Sequence, residues 1–136
     1  MSQLHTRQLD VGRICSGDVI SIEVEDTLLD AAQRMTFKGV GALAVLERGS
    51  LVGIITEGDL VIAMVEQMPL ATTSVRACMT EAPITVSTTV DANVAARYML
   101  EHEIGHLPVM ESGEAVGMLS KGDLLAVGAT PAPQGA

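Results

Sequence analysis

Positive charge is scarce in this chain. Eight lysines and arginines stand against 17 aspartates and glutamates, a formal net charge of −9, and the basic residues are scattered instead of gathered into a stripe. Such a surface repels a polyphosphate backbone, which argues against DNA or RNA as a partner. Long apolar runs are missing too: the longest, such as Leu60 to Val65, reach about six residues, where a membrane-spanning helix needs roughly 20. A soluble chain with no membrane partner is expected. The stretch Met1 to Asp10 carries His5, Arg7 and Asp10 and lacks the apolar segment of a secretory signal, so a cytoplasmic address is expected. Cys15 and Cys78 are the only cysteines, which excludes a disulfide framework and suits two reduced, buried thiols. Tryptophan is absent, and Phe37 and Tyr98 are the only aromatic residues, so no bound ring can draw on strong stacking.

What the chain does have is aliphatic material. With 136 residues, 48% hydrophobic and 18% charged, it can bury one sizeable core, and one compact unit is expected. The eight methionines fit adaptable core packing.

Sliding the sequence by 64 residues aligns Asp18–Met64 with Ala82–Gly128 without a gap. Identities include Ile20 with Ile84, Ala31-Ala32 with Ala95-Ala96, Met35 with Met99, Val52-Gly53 with Val116-Gly117, and Gly58-Asp59-Leu60 with Gly122-Asp123-Leu124. The register extends backward to set Val11 against Val75 and Ser16 against Thr80. One unit has been duplicated, with repeat 1 over residues 11–68, repeat 2 over 75–128, an N-terminal segment 1–10 and a flexible Ala/Pro/Gly tail 129–136.

Each copy reads the same way. The β-branched stretches Val19–Glu23 and Pro83–Ser87 predict short strands. Asp26–Lys38 and Asp91–His102 place Leu28, Ala31, Ala32 and Met35, or Ala92, Ala95, Ala96 and Met99, on one helix face. Ala42–Leu46 and Leu51–Ile55 flank Glu47-Arg48-Gly49-Ser50, which predicts a hairpin, and Glu111-Ser112-Gly113-Glu114 repeats that turn. Thr56 and Ser120 then precede the helical stretches Leu60–Met68 and Leu124–Val127, with aspartate three residues after each hydroxyl. The order is β-α-β-β-α twice, an α/β (α+β) fold class.

That order, with the endings Gly53-Ile54-Ile55-Thr56-Glu57-Gly58-Asp59 and Gly117-Met118-Leu119-Ser120-Lys121-Gly122-Asp123, resembles the CBS domain family in its tandem, pseudo-two-fold form, the Bateman module. Gly105-His106-Leu107-Pro108-Val109 also resembles that family's second strand, while Gly41-Ala42-Leu43-Ala44-Val45 lacks its proline. The resemblance runs from about Val11 to Gly128.

Thr56 and Ser120 sit where a strand hands over to a helix, where free backbone N–H groups can meet an anion and a carboxylate can accept both ribose hydroxyls. The same spacing is that of an ordinary capping box, and the two roles are compatible. The resemblance implies that Asp59 and Asp123 take the ribose, with Thr56 and Gly58 or Ser120 and Lys121 beside them. It further implies that adenine lies near Ile20, Val40 and Ala42 for the Asp123 site, and near Ile84, Ile104 and His106 for the Asp59 site. Lys121 favours a phosphate where Glu57 opposes one, and His106 stands where the family often carries a basic phosphate contact while Ala42 offers nothing. The Asp123 site is therefore expected to be the better nucleotide site, with the Asp59 site weaker, empty or used for a ligand with less negative charge.

His102-Glu103-Ile104-Gly105-His106 satisfies the zinc-protease pattern H-E-x-x-H, which needs both histidines on one continuous helix. The repeat places His102 at a helix end and His106 at a strand start, so neither a metal site nor a catalytic residue is expected. What remains is a non-enzymatic regulatory module sensing an adenosine-containing ligand (ATP, ADP, AMP or S-adenosylmethionine), with that nucleotide as regulatory ligand and no required cofactor. A ligand-free dimerising scaffold is the alternative, and a zinc hydrolase the least favoured. Leu60 to Val65 is apolar on nearly every side, so a homodimer is expected, with output through an unidentified effector protein.

Overall fold

The computed structural model describes residues 9–131, and the expectations for residues 1–8 and 132–136 lie outside the described residues. Those that are described form two compact units instead of the single one that composition suggests. Duplication gives each copy its own sheet, helix pair and apolar cluster, so two small cores replace one large one.

The first unit, Val19–Ile84, holds β1 (Ser21–Glu23), α1 (Leu28–Lys38), β2 (Ala42–Glu47), β3 (Ser50–Thr56), α2 (Glu57–Val65) and β4 (Thr80–Glu81). Its sheet runs β1-β2-β3-β4, with β1 parallel to β2 and the other pairs antiparallel. The second unit holds β5 (Val86–Ser87), α3 (Ala92–His102), β6 (His106–Glu111), β7 (Glu114–Ser120) and α4 (Lys121–Ala126), with a sheet in the order β5-β6-β7. The β-α-β-β-α order thus occurs twice, with β4 as an addition.

Local chemistry explains these elements. Thr27 caps α1 through a reciprocal bond pair with Asp30, and Gly39 ends it in the left-handed conformation that glycine adopts most readily. Leu28, Ala31 and Met35 turn into the core, as do Ala92, Ala95, Ala96 and Met99 of α3. Both hairpins close on two residues of positive φ, Arg48-Gly49 and Ser112-Gly113, the turn geometry that matches strand twist. Capping decides where α2 begins: it starts at Glu57, directly after Thr56, and ends at Val65, earlier at both ends than the apolar stretch Leu60–Met68 predicts. Only Leu60 and Ala63 of α2 are buried, while Val61, Ile62, Met64 and Val65 are each more than half exposed.

β5 is shorter than β1 for a covalent reason. In the first unit the Ala44 N–H donates to the Ile20 carbonyl and extends the β1 ladder backward. The aligned residue in β6 is Pro108, which has no N–H, so pairing begins only at Val86 opposite Val109.

Repeat and compact unit are different divisions of this chain. Residues 9–18 belong to the second unit, where Val11 is fully buried in the core and donates its N–H to the Val90 carbonyl, while the Gly12 N–H donates to Thr88. The aligned residues of the inter-repeat segment do the same in the first unit: Val75 donates to Asp26 and Arg76 to Val24. Each leading segment therefore completes the unit that carries the other repeat's helices. The motif glycines explain themselves here. A Cβ on Gly53 would come 2.6 Å from the Met79 sulfur and 2.8 Å from the Thr80 carbonyl, and one on Gly117 would come 2.6 Å from the Ser16 carbonyl and 2.7 Å from the Cys15 sulfur. Among the described residues no helix is long and apolar enough to cross a membrane.

Candidate functional site

The duplicated corner is built the same way in both units. In the first, β2 pairs with β3 so that Ala42 stands opposite Thr56, and the chain turns from Thr56 straight into α2. The Thr56 N–H donates to Asp59 Oδ2 at 2.8 Å, its hydroxyl donates to the same oxygen at 3.1 Å, and the Asp59 N–H donates back to Thr56 Oγ1 at 3.3 Å. In the second, the Ser120 N–H donates to Asp123 Oδ2 at 2.8 Å and the Asp123 N–H returns to Ser120 Oγ at 3.1 Å. Both capping boxes are complete. Only one oxygen of each carboxylate takes part in these bonds, and both aspartates are half-buried, so the second oxygen keeps its lone pairs for another donor.

The first helical N–H of each corner is also in use. Glu57 donates to the Gly41 carbonyl and Lys121 to the Gly105 carbonyl, each at 3.0 Å. The sequence suggests a fan of free amides at each helix start, yet the carbonyl and the capping hydroxyl take the first and third. The amides of Gly58 and Gly122 remain between them.

Side chains distinguish the corners. β6 pairs with β7 so that His106 stands directly across from Ser120, where the first unit has the buried methyl of Ala42. The aliphatic stem of Lys121 lies along Gly105, 3.3 Å from where a Cβ would stand. It continues along one wall of a largely apolar groove of about 470 Å³ between α3 and α4, lined also by Met99, Leu100, Leu124, Leu125 and the charged Glu103. Glu57, at the matching place, is exposed, as Lys121 is.

The leading segments bring a thiol to each corner, which sequence reasoning took only as core filler. Burial pushes the Cys15 thiol up, and the nearby Asp123 charge pushes it further against a backbone hydrogen bond that lowers it. Burial likewise raises Cys78, followed by the charges of Asp59 and Glu66. The repeat itself gives no signal for this, because Cys15 aligns with Met79 and Cys78 with Ile14, so the two thiols are not equivalent positions.

The remaining site residues divide between the units. Ile20, Val40 and Ile84 lie in the first with Ala42, Thr56, Gly58 and Asp59; Ile104 lies in the second with His106, Ser120, Lys121 and Asp123. Ile20, Val40 and Ile104 are half-buried and Ile84 is exposed. His102 closes α3, Glu103 follows at φ 55°, and His106 opens β6, so the H-E-x-x-H residues do not share a helix. Among the described residues no group of three or more histidine, cysteine, aspartate or glutamate side chains is placed to hold a metal ion.

Two β-α-β-β-α copies, each ending in a capped carboxylate at a strand-to-helix corner, define a duplicated α+β module. The CBS domain profile matches residues 11–66 and 75–129, and the chain belongs to the CBS domain family. It is 32% identical over 124 residues to an uncharacterized protein of Methanopyrus kandleri, covering 89% of this chain and 63% of that one. It is 33% identical over 120 residues to the mitochondrial CBS domain-containing protein CBSX3 of Arabidopsis thaliana, covering 84% and 58%. The chain thus spans about six-tenths of the length of these relatives. A CBS domain protein from Pyrobaculum aerophilum, solved in complex with AMP, superposes with a TM-score of 0.80 at 26% identity, covering 85% of this chain and 89% of that one.

Proposed function

We propose that this chain is a non-catalytic regulatory module that binds an adenosine-containing ligand of the AMP, ADP, ATP or S-adenosylmethionine class and passes its occupancy to a partner protein. The observation that carries this reading is the twofold occurrence of one corner, in which Asp59 or Asp123 gives one carboxylate oxygen to the helix cap and leaves the other outside it, an arrangement that suits a ribose hydroxyl pair. The AMP complex of the Pyrobaculum relative supports the choice of ligand class. Thr56 and Gly58, or Ser120, Lys121 and His106, are the polar neighbours of the sugar and what it carries. The exposed apolar side of α2 suits a homodimer, whose arrangement the ligand biases through unequal affinity for the partner. Two free thiols suit a reducing, cytoplasmic setting.

A thermal-shift panel tests the reading. A ligand at about 100 times its dissociation constant stabilises the fold by about 2.7 kcal/mol, a shift of several degrees in this size class. Replacing Asp59 and Asp123 together by asparagine, which keeps a capping oxygen but loses the charge, should abolish that shift. No response of the wild-type chain to any adenosine compound overturns the proposal. The second reading, an interaction scaffold whose motif residues only cap helices, rests on the two complete capping boxes and is what such a silent panel would support.

A further inference from the structure

We infer that the two corners sort adenosine ligands by charge. The Asp123 corner selects a ligand bearing a 5′-phosphate, and the Asp59 corner selects one that is neutral or positively charged at that end, such as a nucleoside or its sulfonium derivative. This inference rests on the function proposed above and adds the ligand class of each corner.

The duplication supplies an internal control. The backbone frame of the two corners is the same: the cap N–H meets the carboxylate at 2.8 Å in both, and the first helical N–H meets the preceding glycine carbonyl at 3.0 Å in both. Any difference in ligand preference must come from the side chains set on that frame. Three aligned positions differ in kind, one of them Glu103, which stands in place of Gly39 and lines the same groove as Lys121. Lys121 replaces Glu57 immediately after the cap, and its stem is steadied against Gly105 while its ammonium forms no ion pair among the described residues. His106 replaces Ala42 directly across the ladder from the capping hydroxyl, within cross-strand reach of it.

Formal charges then diverge. The Asp59 corner carries Glu57 and Asp59, with Glu66 close enough to act on the same Cys78 thiol. The Asp123 corner sets Lys121 against Asp123 and against Glu103, which lines the same groove, and carries an imidazole across the ladder, so it is less negative than the first corner. A phosphate monoester carries close to two negative charges at neutral pH. It is repelled by two carboxylates and attracted by the ammonium, and at an exposed distance of about 4 Å each such charge changes affinity by about fivefold. A sulfonium reverses both signs.

Calorimetry on the full chain with AMP, adenosine and S-adenosylmethionine tests this. Asp59→Asn leaves the Asp123 corner as the reporter, and Asp123→Asn leaves the Asp59 corner. The Asp59→Asn chain should bind AMP about tenfold tighter than adenosine, with the advantage fading as salt rises; the Asp123→Asn chain should prefer adenosine and S-adenosylmethionine over AMP. Adding Lys121→Gln to the first or Glu57→Gln to the second should move AMP affinity about fivefold in opposite directions and leave adenosine unmoved. In the wild-type chain, amide NMR shifts should show AMP perturbing Gly122 first and adenosine perturbing Gly58 first, a readout that depends on no substitution. Equal AMP-to-adenosine ratios in the two backgrounds, or the same amide responding first to both ligands, overturn the sorting alone. Failure of every adenosine ligand to bind the wild-type chain overturns the proposed function with it.

Discussion

Asp59 and Asp123 combine a structural bond with a second carboxylate oxygen outside it, so capping the helix does not use up the side chain. A capping box and a ligand contact look like rivals in sequence, since both need a hydroxyl and a carboxylate three residues apart. The coordinates remove the rivalry by committing Oδ2 to the cap and leaving Oδ1 outside it. Both residue positions were legible because the motif is short and local. The contact of His106 with the second corner was legible only as a family pattern, because a cross-strand neighbour 14 positions away is fixed by hairpin register and not by spacing. The thiols carry a prediction at this scale. Both are raised by burial first and by neighbouring carboxylates second, so the protonated form is favoured in the folded chain. At pH 8, iodoacetamide should modify Cys15 and Cys78 more slowly in the native protein than in urea, with equal rates contradicting the burial. The linked stability is present below the ordinary thiol value and lost as pH rises through the raised one. Asp30 has the opposite sign: the Thr27 backbone N–H and then its hydroxyl hold that carboxyl below the usual range, so its cap persists into mild acid and is lost as pH falls through the lowered value.

Helices were the easiest elements to anticipate, because the 3.6-residue period of Leu28, Ala31 and Met35 and of Ala92, Ala95, Ala96 and Met99 is written in contiguous residues. Strands at the sheet edges were harder. β4 is two residues long and exposed, with no alternation to betray it, and β5 shrinks because Pro108 sits on the neighbouring strand, 22 positions from Val86. The glycines of β3 and β7 were visible as a motif but not as a packing requirement. Gly53→Ala and Gly117→Ala each drive a Cβ into backbone atoms of a leading segment, and should cost about 1–3 kcal/mol in urea unfolding. Gly17→Ala meets nothing within 4 Å and should stay within about 0.5 kcal/mol of the parent. If all three variants unfold alike, the leading segments are not held where they are described.

For the molecule as a whole, duplication was plain from one offset, and the family and fold class followed from it. Which unit each leading segment joins was not readable, because Val11 and Val75 are the same residue in the same local pattern and either would fill either core. A chain shortened to begin at Val19 checks the assignment. It should lose amide-exchange protection across β6, β7 and α3 while β2 and β3 keep theirs, since Val11 and the Ser16 bonds to Met118 leave with the deleted residues. Loss confined to β2 and β3 would mean that residues 9–18 stabilise the other unit.

The traded leading segments also say something about ancestry. A polypeptide with a single copy of this repeat would own a docking strip that, in this arrangement, its own head does not fill, and two such polypeptides would each lend a head to the other. Joining them through residues 67–74, which are themselves bonded to the start of α1, turns that bimolecular encounter into an intramolecular one. One chain then holds within itself an exchange of segments that single copies would have to make between molecules.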